Sequence, residues 1–118
     1  MKHIIFSILY LIILFSLSTF VFDPTYLYYE IWWLDIPMHI LAGFGLAYLT
    51  GAVLNYNKKK VSFWKLFVVY IVVATSWEVY EYFNNADLLI KWSGWQDTVK
   101  DLVDGFIGMC IVYYFIRK

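Results

Sequence analysis

Ionisable side chains occur inside three segments that are otherwise apolar. A charged residue at the centre of a membrane helix costs about 2.5 to 3.5 kcal/mol on insertion scales, so such residues are rare and usually functional. The groups in question are Asp35 and His39 in one segment, Glu78 and Glu81 in the next, and Asp97, Asp101 and Asp104 in the last. Groups this costly in three separate segments indicate one shared site.

Helical spacing places each of these sets on a single helix face. Asp35 and His39 are i,i+4 neighbours, and Glu78 and Glu81 are i,i+3 neighbours. Residues at such spacings lie one above the other on a helix. The last set continues the rule, with Asp101 and Asp104 at i+4 and i+7 from Asp97. Two sets open their segments and the Glu pair closes the segment between them, so alternating crossings bring all three sets near the same, outer, membrane face. This predicts one acidic, histidine-containing pocket that opens outward.

Several carboxylates in a medium of low dielectric cannot all remain ionised unless a cation or protons neutralise them. A divalent metal ion is the simplest solution. Carboxylate oxygens with one imidazole suit Mn²⁺, Zn²⁺ or Fe²⁺, whereas a carboxylate-only subset suits Mg²⁺ or Ca²⁺. Glu81 is also the expected general base. The predicted metal ligands are Asp35, His39, Glu78, Glu81, Asp101 and Asp104.

Structural interpretations of the same residues remain open. His39 alone in a membrane helix is often a hydrogen-bond partner between helices instead of a metal ligand. Asp35 and Asp97 stand where helices are expected to begin, so both are candidates for N-caps that accept backbone donors. Glu81 lies nearest the water and could be a solvated residue at the rim of the pocket.

The composition decides the fold class. Of 118 residues, 63% are hydrophobic and 15% charged, whereas soluble domains have about 45–50% apolar and about 25% charged residues. We therefore predict an all-α, polytopic membrane bundle of about four transmembrane helices, forming a single domain over residues 1–118. Short interfacial segments rich in Tyr and Trp are expected near 26–34 and 88–95. The predicted spans are 4–22, 35–54, 62–83 and 97–116.

The first span has an alternative interpretation as a cleaved signal peptide. As an anchor it implies four crossings, which place the basic residues at its start, in the middle loop and at the C-terminus on one side. These are Lys2, the run Lys58 to Lys60, and Arg117 with Lys118. Because cytoplasmic loops carry such an excess, both termini are predicted to be cytoplasmic in a multi-pass protein of the cell membrane.

The balance of charge limits the partners. Lys and Arg together number nine, and so do Asp and Glu, so there is no excess of basic residues that would favour a nucleic acid. The expected partners are membrane lipid and a lipid-linked substrate. Oligomeric state does not follow from the sequence.

Three stretches in order, LDIPMHILAGFGLAYL, SWEVYEYFNN and QDTVKDLVDGFIG, resemble the VanZ-like membrane proteins and the related YjdF-type proteins. The resemblance covers about residues 34–114. In that pattern an Asp and a His open one helix, one or two acids close the next, and an Asp-rich turn followed by Gly opens the last. The matching residues are Asp35, His39, Glu78, Glu81, Asp101, Asp104 and Gly108.

The departures from the pattern are informative. VanZ-like sequences usually carry a Lys between the Asp and the His, a Gln after the acid, and an Asn near the last Gly. Here Pro37, Glu81 and Asp104 stand nearby instead. The likeness therefore shifts toward the more acidic YjdF-type pattern, and it implies a shared helical membrane fold more than a shared activity.

Three functional hypotheses follow. The leading one is a metal-dependent membrane enzyme that hydrolyses or transfers a group on a lipid-linked or cell-envelope substrate. The second is a pathway for a cation or for protons, in which the same acids bind or relay the charge. The third is a non-enzymatic interaction protein whose buried acids pair with basic residues of a partner's membrane helices.

Overall fold

The computed structural model describes residues 1–18, 20, 33–84 and 94–116, except for the side chains of 35, 81, 82, 84 and 94–97. In these residues the chain forms α1 (Lys2–Leu17), α2 (Asp35–Tyr56), α3 (Phe63–Asn84) and α4 (Gly94–Ile116). The all-helical prediction is confirmed for this part of the chain. The predicted interfacial segments fall almost wholly outside it.

The helix bounds differ by a few residues from the predicted spans. Where we expected 35–54, 62–83 and 97–116, the helices cover 35–56, 63–84 and 94–116. α1 begins earlier than predicted, at Lys2, and is described as an α-helix to Leu17, whereas the predicted span continued to Phe22. Residues 19 and 21–22 of that span lie outside the described residues.

Two of the described helices are long and apolar enough to cross a membrane, namely Ile36–Tyr56 and Phe63–Tyr80. α1 is apolar but shorter, with 16 residues. α4 has the length, but its first half carries Lys100, Asp101 and Asp104. The structure therefore supports two membrane-spanning candidates, and crossings by α1 and α4 remain predictions.

Large apolar side chains cover the outside of the bundle. Along α3, Trp64, Val68 and Val72 are 70%, 58% and 60% exposed and form a continuous stripe at i,i+4 spacing. α1 likewise exposes most of its large apolar residues. Soluble proteins rarely leave such contiguous apolar surface in contact with water. These faces are suited to lipid.

Glycines bring α2 and α4 into backbone contact. A Cβ atom built on Gly43 would collide with the carbonyl oxygen of Gly105, and one on Gly108 would collide with the carbonyl oxygen of Ile40. Small residues are what allow membrane helices to approach this closely. The two helices run in the same direction, because Gly43 and Gly105 meet near their starts and Gly51 meets Ile116 near their ends.

The other helices pack around this pair. Tyr10 of α1 lies against Gly45 of α2 and donates its hydroxyl to the carbonyl oxygen of Leu41 at 2.9 Å. Tyr70 of α3 donates its hydroxyl to the carbonyl oxygen of Leu102 on α4. The buried core lies mainly among α2, α3 and α4 and consists of Ala47, Leu66, Tyr70, Met109 and Val112.

Candidate functional site

Two acids of α4 are buried on the face that approaches α2. Asp101 is 3% exposed and Asp104 is 8% exposed. Each precedes a contact glycine by four residues, Asp101 before Gly105 and Asp104 before Gly108, so acids and glycines form one helix face. The same close packing that joins α2 and α4 therefore also buries the carboxylates.

His39 of α2 faces Asp101 at the same level. The His39 Nε2 atom lies 3.3 Å from Asp101 Oδ2. The reason is visible one turn further along, where Gly43 meets Gly105. His39 precedes Gly43 by four residues and Asp101 precedes Gly105 by four, so two parallel helices joined at those glycines bring the imidazole to the carboxylate.

Glu78 of α3 completes a group drawn from three helices. One ligand atom from each of His39, Glu78 and Asp101 lies within 4.8 Å of the other two. Glu78 and His39 are partly buried and Asp101 is buried. The structure thus brings together three of the six predicted ligands, and it does so near the end of the bundle where α2 and α4 begin.

Lys100 is the residue of this site that sequence reasoning missed. Its Nζ atom lies 3.0 Å from Asp101 Oδ1 and 3.5 Å from Asp104 Oδ2. The Lys100 side chain is 14% exposed, so its ammonium group offsets much of the negative charge of both acids in a poorly hydrated position. The i,i+4 spacing of Lys100 and Asp104 is the signal that could have revealed it. We refer to His39, Glu78, Lys100, Asp101 and Asp104 as the acidic site.

Of the other three predicted ligands, Asp104 is the one whose side chain the structure describes, and it lies 3.5 Å from Lys100. The side chains of Asp35, Glu81 and Asp97 lie outside the described residues. Their backbone positions nevertheless bear on the capping interpretation. Leu34 occupies the N-cap position of α2, and α4 begins at Gly94. Asp35 and Asp97 are therefore within the first turns of their helices and not N-caps, at positions where the helix dipole still favours an acid.

Chemically, the three converging groups are an imidazole nitrogen and two carboxylates, the donor set of first-row divalent metals. The groups are also within reach for proton exchange between imidazole and carboxylate. Directly beyond them no space is left between α2 and α4, because the two helices meet backbone to backbone at Gly43, Gly105 and Gly108. The acidic site thus has a floor made of main chain.

Residues 3–118 match the model of a family described as "Predicted membrane protein (DUF2238)". The chain belongs to this family. The matched range includes every residue of the acidic site, and membership agrees with the apolar outer surface of the helices. No curated protein and no solved structure matches the chain. The DUF2238 match identifies a family of membrane proteins, while the resemblance to VanZ-like and YjdF-type proteins remains a prediction.

Proposed function

We propose that this DUF2238 protein binds one divalent metal ion at the acidic site, with His39, Glu78 and Asp101 as ligands. The observation that supports the proposal is the convergence of their ligand atoms within 4.8 Å of one another, from three different helices. Ligand atoms about 2.1 Å from a metal lie at most about 4.2 Å apart. Atoms within 4.8 Å of one another are therefore close to the spacing of ligands around one metal ion.

The charges of the site favour the same conclusion. Glu78, Asp101 and Asp104 carry three negative charges when ionised, and Lys100 supplies one positive charge. With neutral His39, a divalent ion balances the two charges that remain. A neutral cluster is far less costly in a low-dielectric region than an unbalanced one. One nitrogen and two carboxylate ligands suit Zn²⁺, Mn²⁺ or Fe²⁺ better than Ca²⁺.

The two carboxylate oxygens of Asp101 have different neighbours. The ammonium group is 3.0 Å from Oδ1, while Oδ2 faces His39 at 3.3 Å. A carboxylate whose one oxygen is held by a cation is fixed in orientation, which is how outer groups position metal ligands. We therefore assign Oδ2 to the metal and a positioning role to Lys100.

The proposed activity is metal-assisted hydrolysis or group transfer on a lipid-linked or cell-envelope substrate. Three protein ligands leave coordination positions free for water and substrate, as in catalytic metal sites. A bound divalent ion lowers the pKa of its water, and Glu81, one turn beyond Glu78 on α3, is the proposed general base. The location within a membrane bundle favours a substrate that is itself held in the membrane.

A pathway for cations or protons is the weaker candidate. A pathway needs polar groups or water beyond the acids. At this position α2 and α4 are in backbone contact at Gly43 and Gly105, and the core beyond contains Ala47, Met109 and Val112. These described residues favour a closed site over a conduit.

The deciding experiment is metal analysis of the purified protein in detergent, followed by titration with Zn²⁺, Mn²⁺ and Mg²⁺. We expect one ion per chain and at least a tenfold loss of affinity in Glu78→Gln and in Asp101→Asn. Ser76→Ala is the matched control on α3, since Ser76 is exposed and donates to the Val72 carbonyl oxygen of its own helix at 2.7 Å. Protein that neither carries nor takes up a divalent ion would remove the proposal.

The proposed topology is four crossings with both termini in the cytoplasm. It places the turn between α2 and α3 in the cytoplasm and the acidic site toward the outside. Lys59 is exposed in that turn, so a Lys59→Cys variant should react with a membrane-impermeant maleimide only after the membrane is opened. Cys110 is partly buried within α4, and the Cys110→Ala substitution removes any maleimide labelling of this native cysteine. Labelling of intact cells at position 59 would reverse the orientation.

A further inference from the structure

We propose that the turn between α2 and α3 is a binding site for the headgroups of anionic phospholipids. The site consists of Lys58, Lys59 and Lys60 together with Lys65, and we refer to these four residues as the basic turn. It does not depend on the metal site, because it lies beyond the opposite end of α2. It connects the two helices with the length and composition to cross a membrane.

The backbone of the turn holds the lysines in a defined arrangement. The Lys59 N–H donates to the Leu54 carbonyl oxygen at 2.8 Å, and the Lys58 N–H donates to the Asn55 carbonyl oxygen at 3.0 Å. This pair of bonds is the Schellman ending of a helix, in which the residue after the cap adopts the left-handed conformation. Lys58 does so here, with φ of 58°.

Glycine, or less often asparagine, is the usual residue at that position, because a Cβ atom is disfavoured in the left-handed region. The chain keeps a lysine there and follows it with two more. Residues held in disfavoured backbone conformations often serve a function. The lysine at position 58 therefore indicates that its charge is useful to the protein.

The fourth lysine is held close to the other three. Lys65 Nζ donates to the Lys60 carbonyl oxygen at 2.8 Å, which brings the ammonium group of α3 back over the turn. Lys58, Lys59, Lys60 and Lys65 are all exposed. Four positive charges are thus gathered on a few residues of solvent-facing chain.

No acid lies near these lysines in the sequence. Between Asp35 and Glu78 the chain contains no Asp or Glu, so the turn and both adjoining helix halves carry only positive charge. Like charges repel, and the repulsion is relieved by an anionic partner. At the boundary of a membrane the anions available at high density are lipid phosphates.

Aromatic residues beside the turn suit the same boundary. Trp64 is 70% exposed and Tyr56 is 57% exposed, one on each side of the lysines. Exposed Trp and Tyr are typical of the headgroup level, where one part of the ring is in contact with lipid and the other with water. Basic and aromatic groups together therefore favour a lipid headgroup over a soluble protein as the partner.

The test measures the ratio of phosphatidylglycerol to phosphatidylcholine retained by the detergent-solubilised full-length chain, using lipids with identical acyl chains and native mass spectrometry. Each lysine near an anionic surface contributes about 1 kcal/mol, which is about fivefold in binding. We therefore expect the ratio to fall at least fivefold in the triple variant Lys58→Gln, Lys59→Gln, Lys60→Gln. The triple Lys→Arg variant, which keeps the charges, should retain the ratio.

Lys58→Gly separates lipid binding from folding. Glycine suits the left-handed position, so the thermal unfolding temperature of the Lys58→Gly variant should rise. Its preference for the anionic lipid should fall, because one lysine is lost. An unchanged preference in the folded Gln triple variant would overturn the proposal. Displacement of the lipid by inorganic phosphate at matched ionic strength would also overturn it, because the site would then bind soluble anions.

Discussion

The acidic site and the basic turn stand at opposite ends of α2, and they differ in how their charges are accommodated. At one end Asp101 and Asp104 are buried, and Lys100 and His39 lie within 3.5 Å of their carboxylates. At the other end four lysines are exposed and have no acid in the same segment. Burial forces a charge to find a partner within the chain, whereas exposure leaves the partner to the surroundings.

The difference also determines what holds each region in place. The acidic site depends on tertiary contacts, since its groups come from three helices joined at glycines. The basic turn is local, since its backbone bonds join residues that are three to five positions apart. Substitutions in the acidic site should therefore destabilise the fold strongly. Substitutions in the basic turn should have small effects, and some should stabilise the fold.

The largest effect is expected for Lys100→Met, which leaves two buried carboxylates without their ammonium group. Removing one member of a buried ion pair costs about 3 to 5 kcal/mol. Thermal unfolding in detergent should show this loss, while Lys100→Arg should keep most of the stability. If a divalent ion binds as proposed, adding Zn²⁺ should restore part of the stability of Lys100→Met. If Lys100→Met unfolds at the wild-type temperature, the burial of the Asp101 and Asp104 carboxylates does not depend on the ammonium group of Lys100.

Next in size is the effect of Gly43→Ala, which places a methyl group against the Gly105 carbonyl group. Because the obstacle is backbone, the helices must separate, and overpacking of this kind costs about 1 to 3 kcal/mol. Gly51→Ala is the matched control on α2, since among the described residues its methyl group meets the flexible Cδ1 atom of Ile116 and no backbone atom. Equal stability of the two variants would contradict the backbone contact between α2 and α4.

A smaller loss is expected for Tyr70→Phe. Its hydroxyl group donates to the Leu102 carbonyl oxygen on α4, close to the acidic site. Loss of one buried hydrogen bond costs about 1 kcal/mol. Thermal unfolding of this variant and of Tyr56→Phe, at an exposed position of α2, checks the prediction. If the two variants lose the same stability, the link from α3 to α4 through Tyr70 contributes nothing measurable.

The smallest effect, and the only gain, is expected for Lys58→Gly. The native φ of 58° suits glycine, so the substitution should stabilise the protein by about 0.5 to 1 kcal/mol. Lys59→Gly, one residue further along, is the control and should not stabilise. A loss of stability in Lys58→Gly would mean that the lysine side chain supports the turn, and the contrast between the two regions would be weaker.

The pattern of apolar and polar residues along the sequence predicted much of the fold. The long apolar segments predicted helices with ends close to those of α2, α3 and α4, and the spacing of Asp101 and Asp104 predicted that they share a face. Membership of a membrane protein family agrees with the composition. These conclusions need only the period of the helix and the cost of exposing apolar groups to water.

Other features were not predicted from the sequence. Asp35 and Asp97 stand at the predicted starts of their spans, which suggested N-caps, yet the helices begin before them and neither residue is a cap. Lys100 was not recognised as part of the site, because its role depends on which way its flexible side chain turns, toward water or back over Asp101 and Asp104. Helix ends and long side chains are settled by their surroundings and not by local spacing.

The sequence by itself determined that this protein is helical, that it has lipid-facing surfaces, and that no acid lies between Asp35 and Glu78, on either side of the basic turn. Only the tertiary structure decided that His39, Glu78 and Asp101 meet. Periodicity sets the face of a residue within its own helix, but the rotation and offset between helices depend on contacts far apart in sequence. Here the contact of Gly43 with Gly105 sets that offset between α2 and α4.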